Sequence, residues 1–432
     1  MKIVLATFGS LGDLHPMLAL GIELQSRGHE ITVAAMDFYR ERIEKNGFGF
    51  HSMRPHFDIE DRELARRLMH PRKGPEILIN EIIFPQLRGM FDDLMAGTEG
   101  ADLLVTGEVV YVAKSIVEKT GVKWISTSLA PLSFFSSSDP NVYPTAEWYE
   151  HLRFLPAAFH GSLFKLMRRV IAGWLVPYKS FRRELGLDEN HDPIFFGKNS
   201  DLLHLAMFSK VLAKPQPDWH RPTLQTGFCF YDGQNDVGKM PEGLQEFLDA
   251  GEPPVVFTLG SAAVWDAGDF FEESAKAAKL LGRRAVLIYG MMNEAPKIVV
   301  SGEWRVMSGG KFQSNIAAVE YAPFSRVFPQ AACVVHQAGA GTTAQALRAG
   351  VPHLIMPYGH DQFDNAARCA RLGVARRISR GGYTAEKAAK ELRGLLSDLS
   401  YKANAVEASK IVKAEHGTTV ACDAIEQILN RK

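Results

Sequence analysis

The chain has 432 residues, 46% hydrophobic and 23% charged, a globular composition too long for one ordinary core, and two domains of about 200 residues each are expected. Lys plus Arg and Asp plus Glu both number 49, so no overall positive field exists to recruit nucleic acid, and nucleic acid is not expected as a partner. Four scattered cysteines, Cys229, Cys333, Cys369 and Cys422, have neither CxxC nor metal-ligand spacing and fit a reducing compartment, most simply the cytoplasm.

The start MKIVLATFGS reads as a first strand rather than a signal peptide, and no run of 18 or more apolar residues spans a membrane. Lys2 to Thr7 is a buried strand, residues 8–13 a turn, and Leu14 to Arg27 a helix with Leu14, Met17, Leu18, Leu20 and Leu24 on its apolar face. Gly28 stops it and Ile31 to Ala35 is the next strand, a parallel, Rossmann-like opening. The loop lacks GxGxxG followed by an acidic ribose ligand, so dinucleotide binding is poorly supported. Further strands are expected near Leu103 to Thr106 and Trp124 to Thr127.

From Leu129 to Lys198 the pattern breaks into aromatic and Pro-rich pieces. The segment Gly161 to Leu185 mixes Phe164, Met167 and Trp174 with Lys165, Arg168, Arg169, Lys179, Arg182 and Arg183. Helices packed over the first domain are the first reading. An apolar acceptor pocket, with at most peripheral contact of the basic face with a lipid surface, is the sharper one. Pro, Gly, Asp and Gln crowd residues 210–254, and the interdomain linker is placed at 228–252. Strands resume at Pro254 to Leu259, followed by Gly260-Ser261, and at Ala285 to Tyr289 and Trp304 to Met307.

The richest stretch is Cys333 to Val374. Cys333 to Val335 reads as a buried strand, and the small residues Ala338 to Thr343 lead into a helix that ends at Gly350. Unpaired N–H groups at such a helix start donate to an anion, and a phosphate or diphosphate fits. His353 to Met356 is another strand, closed by Pro357, with Asp361, Gln362 and Asn365 where the next helix begins. Two neighbouring strand ends of an open α/β sheet thus present anion donors and a polar pair.

At AGAGTT, ALRAGVPHLIMP and HDQFDNA the chain resembles the family-1 glycosyltransferases, especially bacterial enzymes that glycosylate natural products or sterols and the rhamnosyltransferases of rhamnolipid synthesis. The resemblance runs from residue 2 to beyond 420. It implies the α/β GT-B fold, two Rossmann-like parallel-sheet domains facing a central cleft. Residues 1–227 would bind acceptor, 253–415 the nucleotide-sugar donor, and 416–432 would form a helix crossing back to the first domain.

The implied activity is inverting transfer of a hexose or deoxyhexose from a UDP- or dTDP-sugar to a hydroxyl of a hydrophobic small molecule, without metal or other cofactor. Asp13 is the implied general base, although on the residues alone Asp is well suited to N-cap the helix from Leu14. His15 is the neighbouring alternative, and Glu108 is placed to orient base or acceptor. Ser10, Gly12, Ser261, Gly339, Ala340, Gly341 and Thr342 would hold the diphosphate. The diphosphate histidine of many relatives falls at Gln337, with His336 one residue early, so either side chain could serve.

Gln345 replaces a ribose-binding Glu, as in the rhamnolipid-type relatives, which favours dTDP or tolerance of both pyrimidines. Tyr321 of Tyr321-Ala322-Pro323 would stack on the base, Phe324 replaces a usual Gln, and Asp361 and Gln362 would hold the sugar hydroxyls beside His360. Phe134, Phe135, Trp148, Phe164 and Trp174 are the acceptor-side candidates. Two rival readings are a nucleotide-sugar epimerase of the same fold and a non-catalytic nucleotide-binding subunit.

Overall fold

The computed structural model describes residues 1–431 apart from 59–60, 145, 233–237, 291–304, 308–309 and 313–314. The chain forms two units. Residues 1–61, 72–231 and 415–432 make the first, and residues 62–71 and 232–414 the second.

The first unit is built on seven parallel strands: β1 (Lys2–Ala6), β2 (Glu30–Ala35), β3 (Gly49–Ser52), β4 (Leu103–Thr106), β5 (Lys123–Ser128), β6 (His204–Ala206) and β7 (Thr223–Gln225). Their order is β3-β2-β1-β4-β5-β6-β7. Ile3, Val4, Leu5 and Ala6 are all fully buried, as a strand covered by helices on both faces requires. The first helix spans Leu11–Ser26 and starts three residues earlier than the apolar period suggests. Gly28 follows it at φ +89°, a conformation that only glycine adopts without strain.

The last helix, Gly417–Leu429, belongs to this unit and buries Ala421, Cys422 and Ile425. Arg27 reaches Asp423 at 2.6 Å and Glu426 at 2.8 Å. The Lys123 ammonium donates to the carbonyls of Ile428, Leu429 and Arg431 and caps the negative end of the helix dipole.

The second unit carries eight strands: β8 (Val255–Thr258), β9 (Ala285–Ile288), β10 (Arg305–Met307), β11 (Gly310–Phe312), β12 (Ile316–Val319), β13 (Cys333–His336), β14 (His353–Ile355) and β15 (Ala375–Arg377). Their order is β10-β11-β12-β9-β8-β13-β14-β15. Six are parallel, as expected, and β10 and β11 add an antiparallel hairpin at one edge. Trp304, expected to open a strand, lies outside the described residues.

Alternate residues feed two cores. Val255, Phe257, Leu287 and Val335 face the helices Phe270–Leu281 and Ala385–Ser397, while Val256, Val286 and Val334 face Leu244 and Ala346. Two features of the chain's path differ from the sequence reading. The helix Leu244–Asp249 stands inside the span taken for a linker, whose residues 233–237 lie outside the described ones. Arg62–Pro71, within the first 227 residues, packs with the second unit, where Met69 enters the core.

Candidate active site

In the first sheet the chain steps outward from β1 to β2 and β3, then returns to place β4 on the other side of β1. The order therefore reverses between β1 and β4, and the carboxyl ends of strands at such a switch point are where open α/β sheets bind ligands. The Gly107 N–H donates to the Ala6 carbonyl at 2.9 Å, which holds the two loops side by side.

Asp13 stands there in the first turn of the helix, with Ser10 as N-cap. The Gly12 N–H donates to Ser10 Oγ at 3.1 Å, and Asp13 Oδ2 accepts from the Ser10 N–H at 2.8 Å and from Ser10 Oγ at 3.2 Å. This is a reciprocal capping box, so Asp13 does not cap a helix that begins at Leu14. The Ser10 hydroxyl is spent inside the unit. Gly9, at φ +133°, presses its Cα against the carboxylate: a Cβ there would stand 2.4 Å from Asp13 Oδ2. Burial pushes the Asp13 carboxyl up to about 6 against the lowering by the Ser10 hydrogen bonds, and the Glu108 charge raises it further.

His15, two residues on, points to a different side of the helix. Its Nε2 lies 3.3 Å from Arg42 Nη1, and its ring lies against Tyr231 with centroids 4.9 Å apart. Burial and the Arg42 charge push it down to about 3, so the ring is neutral with its Nε2 lone pair engaged. Glu108 accepts from the Leu129 N–H at 3.0 Å, from the Ser133 hydroxyl and from Lys198 Nζ at 3.3 Å. It fastens the loop after β4 to the aromatic segment and acts on Asp13 through its charge.

The second sheet reverses between β8 and β13. Gly260 and Ser261 follow β8, Gln337 to Gly339 follow β13, and Gly339 is the N-cap of the ten-residue helix Ala340–Ala349. No side chain caps this helix, so the first-turn N–H groups at Ala340, Gly341 and Thr342 have no side-chain acceptor. A Cβ on Gly341, in the first turn, would meet nothing within 4 Å, so the space beside this residue is open.

The buried Gln337 amide lies over Gly260, where a Cβ would stand 2.3 Å from its Nε2, and Gln337 Oε1 has no partner. Gly260, at φ +65°, permits this close approach. Of the two expectations for the diphosphate side chain, His336 does not fit. It is fully buried, its Nδ1 accepts from the Ala338 N–H at 3.0 Å, and its Nε2 faces His353 Nδ1 at 3.2 Å. Alternation along β13 turns His336 into the core and Gln337 toward the loop. Ala338, at φ +71°, makes the turn from Gln337 to the N-cap Gly339.

Gln362 Oε1 accepts from the N–H groups of Tyr358 at 2.8 Å and Gly359 at 3.3 Å, so a ligand can engage only its NH2. Asp361 Oδ2 accepts from Asn365 Nδ2 at 2.7 Å, and the same amide donates to the Ala338 carbonyl at 3.0 Å. Asn365 therefore joins the loops after β13 and β14. His360, at φ +53°, meets the Leu68 carbonyl at 2.9 Å through Nε2, and burial lowers its pKa. Tyr321 is half-buried and Ala322 is fully buried beside the end of β12.

Gln345 donates to Asp232 at 3.4 Å and accepts from Arg348 at 2.8 Å, while Arg348 Nη1 meets Asp232 Oδ2 at 2.8 Å. Burial raises the Asp232 carboxyl, but the Arg348 hydrogen bonds and charge win and hold it below the ordinary range. A carboxylate thus stands against Gln345 after all, supplied from residue 232.

The aromatic candidates separate. Phe134 is buried and stacks on Trp219 with centroids 4.0 Å apart, a core residue rather than a pocket wall. Phe135, turned outward at φ +47°, stacks on Phe164 and meets Phe195 edge-on, with Lys198 over its ring. Trp174 is half-buried and Trp148 is exposed. The sequence reading missed Gly9, Lys198, Gly260, Asp232 and the 62–71 segment; the first and third were visible only as glycines in loops after strands. Among the described residues no group of three or more His, Cys, Asp or Glu stands placed to hold a metal ion. No helix among them is long and apolar enough to cross a membrane.

Two parallel-sheet units, each with a loop-and-helix site at its switch point, define the GT-B class of transferase. Residues 3–100 match the glycosyltransferase family 28 N-terminal domain, and 296–426 match the C-terminal domain of erythromycin biosynthesis protein CIII-like proteins. O-mycaminosyltylonolide 6-deoxyallosyltransferase of Streptomyces fradiae is 30% identical over 99% of this chain and 97% of its own. The glycosyltransferase of kitacinnamycin superposes with a TM-score of 0.70 at 20% identity, each chain covered to 99%. Glycosyltransferase VinC, solved with dTDP, superposes with a TM-score of 0.69 at 20% identity over the whole of both chains. The chain belongs to the natural-product glycosyltransferases of the GT-B fold, and it is an enzyme.

Proposed function

We propose that the protein is an inverting glycosyltransferase that moves a hexose or deoxyhexose from a UDP- or dTDP-sugar to a hydroxyl of a hydrophobic small-molecule acceptor, with Asp13 as general base. The observation that carries this reading is the Asp13 carboxylate at the first switch point, oriented by Ser10 and pushed up to about 6 by burial. A base with that pKa is ionised at neutral pH and strong enough to take an acceptor proton.

The acceptor oxygen attacks the anomeric carbon as Asp13 takes its proton, and the bond from that carbon to the diphosphate oxygen breaks. One displacement inverts the centre. The departing charge is received by the uncapped helix end at Ala340 to Thr342, with the Gln337 amide beside it. Asp361 and the Gln362 NH2 hold the sugar hydroxyls, and Tyr321 packs on the base. Residues 62–71 and 232–414 form the donor half, and 1–61, 72–231 and 415–432 the acceptor half. The Streptomyces relative is named for a deoxyallosyl transfer and VinC holds dTDP, which supports a deoxysugar carried on dTDP as donor.

The test pairs calorimetric binding of UDP and dTDP with turnover of UDP-glucose and dTDP-rhamnose against hydroxy-fatty acids, sterols and flavonoids, in wild type and Asp13→Asn. Loss of turnover at unchanged nucleotide affinity is expected. Normal turnover in the variant refutes the base, and tight nucleotide binding with no turnover on any acceptor refutes the transferase reading.

A further inference from the structure

Residues 151–183 contain seven Lys and Arg and not one Asp or Glu. Arg153, Arg168, Arg182 and Arg183 pair with carboxylates elsewhere, which leaves Lys165, Arg169 and Lys179 without an ion pair among the described residues. The helix Ala157–Val170 lies in this run, and His160 is its one buried residue. Phe159, Leu163, Leu166 and Val170 recur at spacings of four, three and four, which at 3.6 residues per turn confines them to an arc of about 60°. That arc does not face the core. The four are 43%, 38%, 56% and 75% exposed, whereas the apolar stripe of a helix in a globular unit is normally buried. On one flank of the same exposed face stand Lys165 and Arg169, with no ion pair among the described residues. The turn before the helix adds Trp148 and Phe154, 61% and 80% exposed.

Two partners could cover an apolar stripe of this size, another protein or a lipid surface. A flat protein partner does not call for cationic side chains along the edge of the stripe. The interface of an anionic bilayer does: acyl chains take Phe159, Leu163, Leu166 and Val170, headgroups take Lys165 and Arg169, and an indole such as Trp148 suits the boundary. We propose that the helix Ala157–Val170, with Trp148 and Phe154, is a docking surface for an anionic lipid bilayer. The protein binds it peripherally and reversibly, with the helix lying in the plane of the membrane. This does not depend on the identity of the base or the donor. Its consequence for the enzyme is that acceptors dissolved in a bilayer are delivered next to the Phe135, Phe164 and Phe195 cluster.

Co-sedimentation of the full-length protein with vesicles of phosphatidylcholine alone, and of phosphatidylcholine mixed with phosphatidylglycerol, tests this. Binding to the mixed vesicles is expected, weakened at least tenfold by raising the salt and far weaker on phosphatidylcholine alone. Leu163→Glu/Leu166→Glu is expected to abolish binding, and Lys165→Gln/Arg169→Gln to weaken it by about 25-fold, fivefold per charge. All four residues are exposed, so both variants should keep the wild-type melting temperature and turnover of a water-soluble acceptor. Lack of wild-type binding to the mixed vesicles overturns the proposal, as does binding that survives the Glu pair. A concentration-dependent dimer that the Glu pair dissociates, without vesicle binding, would assign the stripe to a second copy of the chain and equally overturn it.

Discussion

The two switch points use the same architectural element, a strand, a short loop and a helix N-terminus, and finish it in opposite ways. After β1, the helix end is filled by the protein's own carboxylate: Asp13 accepts from Ser10, and Gly9 leaves it the room. After β13, the helix Ala340–Ala349 has no capping side chain, open space beside Gly341 in its first turn, and next to it a buried amide whose oxygen lacks a partner. A helix end that carries its own anion has little left to offer a diphosphate, and one left bare is short of an anion. On the reading proposed above, the filled end would supply the base and the bare end would receive the leaving group.

The strongest way to break this comparison is Asp13→Asn. Turnover should fall by about 10²–10⁴-fold while dTDP affinity, measured by calorimetry, stays put. The same variant should be more stable than wild type at neutral pH. The folded carboxyl lies at about 6 against 3.8 for the unfolded chain, so its ionisation opposes folding. That cost is absent below pH 4, grows as pH rises through the folded value, and reaches about 2–3 kcal/mol above it. The stability gain in denaturant melts should therefore appear between pH 4 and pH 6 and be flat beyond; a gain that is constant with pH would contradict the burial of this carboxyl.

The bare helix end is tested by two glycines. Gly260→Ala places a methyl into the Gln337 amide at an unfavourable φ and should weaken dTDP binding about tenfold or more. Gly341→Ala meets no protein atom and should leave the melting temperature at or slightly above wild type, yet weaken dTDP by roughly tenfold because its methyl enters the space kept for the ligand. If Gly341→Ala binds dTDP as wild type does, the anion site lies elsewhere.

Glu108→Gln sharpens the other side. Removal of its charge lowers the Asp13 pKa, so the acidic limb of the kcat/KM profile should move to lower pH, a shift that simple loosening of the Ser133 and Lys198 contacts would not produce. The smallest effect expected is none: turnover in excess EDTA should equal that in buffer, and a loss restored by magnesium would give the leaving group a different partner.

The strands, loops and helix starts that make the two switch points were legible because each is an apolar run followed at once by small residues, a pattern set by local burial and backbone geometry. The capping box was misread because the apolar period begins at Leu14, whereas hydrogen bonding begins at Ser10, and Ser10-x-x-Asp13 was the better signal. His336 and Gln337 could be separated only by the alternation of β13, once its end was known. Asp232 met Gln345, and Leu68 met His360, across 113 and 292 residues, and no local pattern predicts pairings of that range. Strands β6 and β7 are three residues long and sit in Pro-rich chain, too short for a period to show.

The membership of the two outlying pieces bears on how such enzymes can be recombined. A chimera that joins this acceptor half to another enzyme's donor half at a single point near residue 232 would keep Arg62–Pro71 without the Asp266 and His360 that Arg66 and Leu68 meet. It would also replace Gly417–Leu429 with a foreign helix that does not carry the Asp423 and Glu426 partners of Arg27. Exchange of donor specificity therefore calls for three grafts rather than one, with residues 62–71 travelling with the donor half and 415–432 staying with the acceptor half.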